Sequence, residues 1–271
     1  MNTLPVIPYY HVDRVLSSSG GTAVVYWGID LRSGFPVAIK QLYASKSKQF
    51  DLKSEANKYL YLSHKGITKL VDFVIDGSQC YLVMEYVDGI PLDEYQRTRT
   101  GPLSEEVAIP IFLQLLDTIA YLHHNQVLHL DIKPNNIMIG RDMSVKVLDM
   151  GISAKINGKR ENPKVCGTPA FMPPEQFEKK RLGRYTDIFA LGVTLYSMLT
   201  AHLPFTGSTH TEIWDNIKNG RYASPDVYYP YINKAFIPII DKALRSNYAE
   251  RYQTCEEMSY DILRVMKSIN L

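Results

Sequence analysis

Strand-forming and helix-forming segments are segregated along this chain, and the segregation limits the architectures open to it. Within residues 12–84 the stretches AVVYWGID, FPVAIKQLY, ITKLVDFVID and CYLVMEYV are rich in Val, Ile, Tyr and Phe, with Gly, Ser or Asp between them. That is the composition of half-buried strands. One helical pattern interrupts them, FDLKSEANKYLYLSH, with Leu52, Ala56, Tyr59, Leu60 and Leu62 roughly at helical spacing. VDGIPLDEY, residues 87–95, is turn-like and reads as a connector. After it the pattern becomes helical. Ser104 stands at an N-cap position, with Glu105 and Glu106 at the favourable end of the helix dipole. Phe112, Leu115, Leu116, Ile119 and Leu122 mark one face, and Pro110 should bend the first turns. Residues 127–150 return to short strands, and helical segments dominate from residue 173 onward. A β-rich first third followed by an α-rich remainder predicts an α+β fold of two lobes with a cleft between them.

Composition narrows the partners. The 271 residues suffice for one large domain with a sizeable core. A net charge of +2 gives no global reason to expect nucleic acid. Cys80, Cys166 and Cys255 lack both disulfide-framework and metal-site spacing, so a reducing, cytoplasmic setting is expected. The N-terminus lacks the basic start and apolar core of a signal peptide. The apolar run at residues 187–199 is too short to span a bilayer and contains Asp187, so it reads as a buried helix.

Chemistry-bearing residues are concentrated in a few stretches. VLSSSGGTAVVY is a small-residue turn followed by a strand, and VAIK ends an apolar strand on Lys40. LVMEYVDG closes the strand-rich third, and VLHLDIKPNNIMI packs His129, Asp131, Lys133 and Asn136 into an otherwise apolar run. LDMG and CGTPAFMPPE follow. Each has an ordinary reading when taken alone. The first would be a flexible turn, Lys40 a snorkelling lysine and Glu55 a solvated helix residue. In this order, from about residue 12 to about residue 265, they resemble the protein kinase family.

The resemblance implies a bilobal protein kinase fold, with residues 1–86 as N-lobe, residues 87–271 as C-lobe and ATP in the cleft between. It also implies a role for each motif residue. Leu16, Ser18, Gly20, Ala23 and Val25 would belong to the glycine-rich loop over the phosphates, although only Gly20 is glycine among its three glycine positions. Lys40 would hold the α- and β-phosphates and pair with Glu55. Val25, Ala38 and Met138 would sandwich the adenine, Met84 would limit the pocket's depth, and the backbone of Glu85 and Val87 would take the adenine edge. Asp131 would orient the attacking hydroxyl and accept its proton, and Lys133 would neutralise γ-phosphoryl charge. Asn136 and Asp149 would bind Mg²⁺ (or Mn²⁺), which prefers oxygen ligands. Thr168 would shape the substrate seat. Glu175 would pair with Arg251, Asp187 would hold the catalytic-loop backbone, and His129 would support it from beneath.

Two departures are informative. Leu130 stands where the family usually has Arg, and Met150 replaces the usual Phe. The missing arginine is the group that in many kinases grips a phosphate on the activation segment. Residues 150–167 offer one hydroxyl, Ser153, and no Thr or Tyr. Receiver and donor of the usual phosphate are both absent, so activity independent of activation-segment phosphorylation is expected. Lys155, Lys159, Arg160 and Lys164 make this segment basic, either as a solvated loop or as a seat for an acidic substrate. The implied function is Mg-ATP-dependent phosphoryl transfer to Ser or Thr of protein substrates, in a chain of bacterial eukaryotic type. No nucleic-acid partner and no membrane span are expected, and oligomeric state is left open. The alternatives are a pseudokinase acting as a nucleotide-binding or scaffolding module, and a small-molecule kinase, against which the GTPAFMPPE segment argues.

Overall fold

A computed structural model describes residues 4–18, 23–42, 56–57, 59, 61–77, 79–98, 101–150, 153–155 and 168–269. Two compact units compose the chain, Met1–Asp88 with Asp149–Gly151, and Gly89–Leu148 with Ile152–Leu271. Tyr86 N–H bonds to Pro36 O in the first sheet.

The first unit is built on a five-stranded antiparallel sheet in the order β1-β2-β3-β5-β4. Its strands are β1 (Tyr10–Ser17), β2 (Ala23–Asp30), β3 (Pro36–Leu42), β4 (Leu70–Asp76) and β5 (Gln79–Glu85). Period-2 alternation sends Val24, Tyr26, Val37, Ile39, Tyr81 and Val83 to one face, where they join Ile7 and Tyr10 in a buried cluster. The opposite face receives the intervening residues. Val25 lies across from Lys40, and Ala38 across from Met84. Directly opposed residues share a face, so the register alone gathers these four side chains on one side of the sheet. Leu16 sits at a register shift in β1 between Val15 and Ser17, where a bulge re-aims the strand.

The second unit is mainly helical. The segment expected to be a connector is instead a short strand, β6 (Gly89–Pro91), and a helix, α1 (Leu92–Thr98). Tertiary partners decide this: β6 pairs with β8 (Ile137–Gly140), and α1 buries Leu92 and Tyr95. β9 (Val145–Val147) completes that small sheet, while β7 (Val127–Leu128) pairs with β10 (Ala154–Lys155). The long helix α2 (Glu105–His124) runs through Pro110. Ser104 flanks it without a side-chain cap bond; its hydroxyl bonds to Glu106 and holds that carboxyl below its ordinary range. By length and composition α2 could cross a membrane, but Ile109, Phe112, Leu115, Leu116, Ile119 and Leu122 are fully buried, which makes it a core helix.

Four helices follow in α3 (Pro174–Phe177), α4 (Arg184–Thr200), α5 (His210–Lys218) and α6 (Pro225–Tyr228), then α7 (Ile237–Ala243) and α8 (Cys255–Ile269). From Thr186 to Thr200 every residue of α4 is buried, the mark of a helix surrounded by protein on all sides. Gly192 lets α4 approach α7 closely, since a Cβ there would meet Ala243 Cβ at 2.7 Å. A bidentate ion pair ties α3 to the loop before α8, Arg251 Nη1 to Glu175 Oε1 at 2.7 Å and Nη2 to Oε2 at 3.0 Å. Arg251 also donates to the carbonyls of Arg245, Tyr185 and Ser246, which distributes its charge over fixed acceptors.

Both side chains of this pair are essentially inaccessible, 0% and 1% exposed. Breaking such a pair strands a charge and costs about 3–5 kcal/mol. Glu175→Gln is therefore expected to lower unfolding free energy by about that amount in denaturant titrations. Glu175→Leu combined with Arg251→Met should lose less than either single change, because no uncompensated charge is left.

Candidate active site

The loop after β7 is held from below by one carboxylate. Asp187, in the first turn of α4, accepts His129 N–H at Oδ2 (2.9 Å) and Leu130 N–H at Oδ1 (2.8 Å). His123 of α2 approaches the same Oδ2 through Nε2 at 2.8 Å. Asp187 is wholly buried. Burial alone would raise its carboxyl; the His123 hydrogen bond, the nearby His123 and His129 rings and the Leu130 amide outweigh it and hold the group below the ordinary range. On the other side of His123, Nδ1 lies 3.8 Å from Cys255 Sγ, and burial pushes that thiol up well above its usual value.

These anchors impose an unusual backbone. Leu130 has φ 69°, the left-handed region that a bulky residue enters rarely. Its carbonyl accepts Gln176 Nε2–H at 3.3 Å, so both of its backbone polar groups are fixed by buried side chains. His129 carries the constraint further. Asp131 N–H donates to His129 Nδ1 at 3.3 Å, which places the ring proton on Nε2, and Nε2 faces Leu148 O at 3.1 Å.

The polar residues of the loop then close on one another. Asn136 Nδ2 donates to Asp131 O at 2.9 Å and to Asp131 Oδ2 at 2.8 Å. Lys133 Nζ lies 2.9 Å from Asp131 Oδ2 and 3.2 Å from Oδ1, and donates to Thr168 Oγ1 at 3.1 Å. Asn136 sits in a single 3₁₀ turn, Pro134–Asn136, and its carbonyl accepts Leu148 N–H at 2.8 Å. With Nδ2 committed, Asn136 Oδ1 takes no hydrogen bond among the described residues. Met138 is half-buried on β8 in this same unit.

In the first unit Lys40 Nζ donates to Asp149 Oδ1 at 2.9 Å. Asp149 is also left-handed, with φ 57°. The next residue, Met150, is buried and donates its N–H to Tyr59 Oη at 3.3 Å. Val25, Ala38 and Met84 share the Lys40 face of the sheet, and Glu85 ends β5 with its N–H on Lys69 O. Val87 follows, half-buried. Ser18 is exposed, and Ala23 opens β2 opposite Leu42. Gly20, Glu55 and the basic residues Lys159, Arg160 and Lys164 lie outside the described residues.

Sequence reasoning passed over His123 and Gln176. His123 did carry a signal, because it follows directly on the buried face of α2 marked by Ile119 and Leu122. Gln176 carried none, since its partner is 46 residues away.

The family model described as protein kinase domain matches residues 10–262. Serine/threonine-protein kinase PrkC of Bacillus subtilis (strain 168) is 34% identical over 259 residues, covering 93% of this chain and 40% of that protein. Serine/threonine-protein kinase PknB of Mycobacterium tuberculosis is 31% identical over 268 residues, covering 94% of this chain and 42% of that protein. A plant relative, SNF1-related protein kinase catalytic subunit alpha KIN12 of Arabidopsis thaliana, is 28% identical over 252 residues, covering 90% and 50% respectively. The chain thus spans half or less of the length of these relatives. With the family model covering nearly all of it, the chain belongs to the protein kinase domain family.

Proposed function

We propose that this chain transfers the γ-phosphoryl group of Mg-ATP to Ser or Thr hydroxyls of protein substrates, without requiring phosphorylation of its activation segment. The observation that carries the reading is the hydrogen-bonded cluster of Asp131, Lys133, Asn136 and Thr168. Asp131 Oδ2 takes both Asn136 Nδ2 and the shorter Lys133 contact. Oδ1 is therefore the less loaded oxygen, suited to orient a substrate hydroxyl and accept its proton. Lys133 supplies a positive charge beside that oxygen and ties it to Thr168, at the seat expected for the acceptor.

The oxygen donors fit a hard divalent cation. In the second unit Asn136 offers an amide oxygen whose own nitrogen is held by Asp131; in the first unit Asp149 offers a carboxylate held by Lys40. Mg²⁺ supplied with ATP would neutralise and orient the phosphates. Within the first unit Val25, Ala38 and Met84 supply apolar surface that an adenine needs, and Lys40 the charge for its phosphates.

Independence from phosphorylation rests on how the loop is held. Leu130 is buried, and its backbone is fixed by Asp187 and Gln176, which are buried side chains that no phosphate controls. Ser153, the one hydroxyl residue among positions 150–167, is itself buried.

Two outcomes test the reading. With labelled ATP and a generic basic protein, the wild type should transfer phosphate. Asp131→Asn should lower turnover by roughly 10²–10⁴-fold while ATP binding is retained, with Asp149→Ala as the inactive control. Nucleotide binding with no transfer above that control would replace this reading by a pseudokinase. Treatment of the purified chain with a phosphatase should leave turnover unchanged, and mass spectrometry should find no required phosphate on residues 150–167.

A further inference from the structure

Helix α8 begins on Cys255, a buried thiol that the phosphoryl-transfer chemistry does not use. Its Sγ lies 3.8 Å from Nδ1 of His123, which stands 132 residues earlier, near the end of α2. Among the described residues neither atom has another hydrogen-bond partner. The other ring nitrogen, Nε2, lies 2.8 Å from Asp187 Oδ2. Thiol, ring and carboxylate thus form one buried row. The carboxylate at its end holds the amides of His129 and Leu130, and every member belongs to the second unit.

The direction of the hydrogen bonds along this row follows from the carboxylate. Asp187 is held below the ordinary range, so it is ionised and can only accept. Nε2 must therefore carry the proton that faces it. A neutral ring that donates from Nε2 has a bare Nδ1, which is an acceptor. A buried acceptor without a partner is costly. Burial keeps the Cys255 thiol protonated, well above its usual value, so the group aimed at Nδ1 is an S–H donor. A second proton on Nδ1 would replace that acceptor by a donor with only a sulfur to face.

We propose that Cys255 is a positioning residue: its thiol donates to His123 Nδ1 and holds the ring in the neutral tautomer whose Nε2–H supports Asp187, and through Asp187 the loop that carries Asp131. The consequence for turnover rests on the kinase reading above; the tautomer does not. Cys255 acts only through His123. Without the donor, Nδ1 is left unpartnered, and the ring turns from Asp187 to satisfy it. Asp187 then keeps two donors instead of three. The amides of His129 and Leu130 are held for a smaller fraction of the time, and the competent placement of Asp131 is populated less.

The test compares wild type with Cys255→Ala, which removes the donor, and Cys255→Ser, which keeps a donor on a smaller side chain. In protein labelled at histidine and leucine nitrogen, the ring resonances of His123 are recorded by nuclear magnetic resonance. Wild type should show a protonated Nε2 and an Nδ1 resonance displaced by hydrogen bonding. That displacement should disappear in the alanine variant and return in the serine variant. Amide exchange of Leu130 is measured against that of Leu195, fully buried in α4, so that the ratio cancels any global loss of stability. The ratio should rise about fivefold in the alanine variant and fall back in the serine variant. Turnover, kcat, should drop by a similar factor with KM for ATP unchanged. An identical His123 spectrum in wild type and alanine variant would overturn the proposal. So would a serine variant that behaves like alanine, since volume and not the donor would then be at work. A changed ring with an unaltered Leu130 ratio would remove the positioning role. If the wild type transfers no phosphate, the kinase reading falls, while the ring and exchange data still decide what Cys255 does.

Discussion

The Asp187 carboxylate, without exposure to solvent, accepts two consecutive backbone amides and a histidine ring. The rotations that bring these two adjacent N–H groups to one carboxylate lie at His129, and the left-handed Leu130 follows them, before Asp131. The carboxylate thus fixes the start of the loop in which Asp131 meets Lys133 and Asn136. A buried charge is costly unless its lone pairs are used, and here three donors use them. Since the folded value of this carboxyl is lowered, its contribution to stability is present above the unfolded carboxylate value and is lost only as the pH falls through the lower folded one. The anchor is therefore intact throughout the neutral range. The second anchor, Glu175 with Arg251, fixes α3 and hence Gln176, which holds Leu130 O. The loop is clamped at N–H and C=O alike by groups in the rigid helical part of its own unit.

The first unit meets a different requirement by different means. It presents a lysine and an apolar surface on one side of a sheet whose other side is core. Antiparallel register does this without special residues, because a side chain's face follows from its parity along the strand. Lys40 and Ala38 are two apart, and Val25 and Met84 are their cross-strand partners. A one-residue slip of β3 would bury Lys40 in the cluster around Ile39 and expose the core residues instead. The core cluster therefore enforces the position of the lysine.

What was legible in the sequence follows from how local each cause is. Strands β2 to β5 and helix α4 announce themselves through composition and burial pattern, because each residue's environment repeats along the element. The residues of HLDIKPNN are legible because their spacing encodes a chemistry that tolerates few alternatives, and Lys133 and Asn136 each lie within hydrogen-bond distance of Asp131. The segment 87–95 misleads because three residues of β6 and seven of α1 carry almost no pattern of their own; β8 and the burial of Leu92 and Tyr95 determine them. Ser104 has the right type for a cap, yet its hydroxyl serves Glu106 instead. Tyr59 shows only as an apolar helix position in the sequence, since nothing local reveals that its hydroxyl meets an amide 91 residues away.

Leu130 connects these observations. An arginine at that position carries a charge that must find an anion, and a loop built around it depends on whether the anion is present. A buried leucine makes no such demand. Asp187 and Gln176 supply the backbone contacts described at Leu130. Asp149 is 41% exposed at its side chain, left-handed in its backbone, and bonded to Lys40 Nζ. Lys40 is fixed by the sheet register. Leu130 and Asp149 are both left-handed, Leu130 bonded through its backbone to two buried side chains and Asp149 bonded through its carboxylate to Lys40.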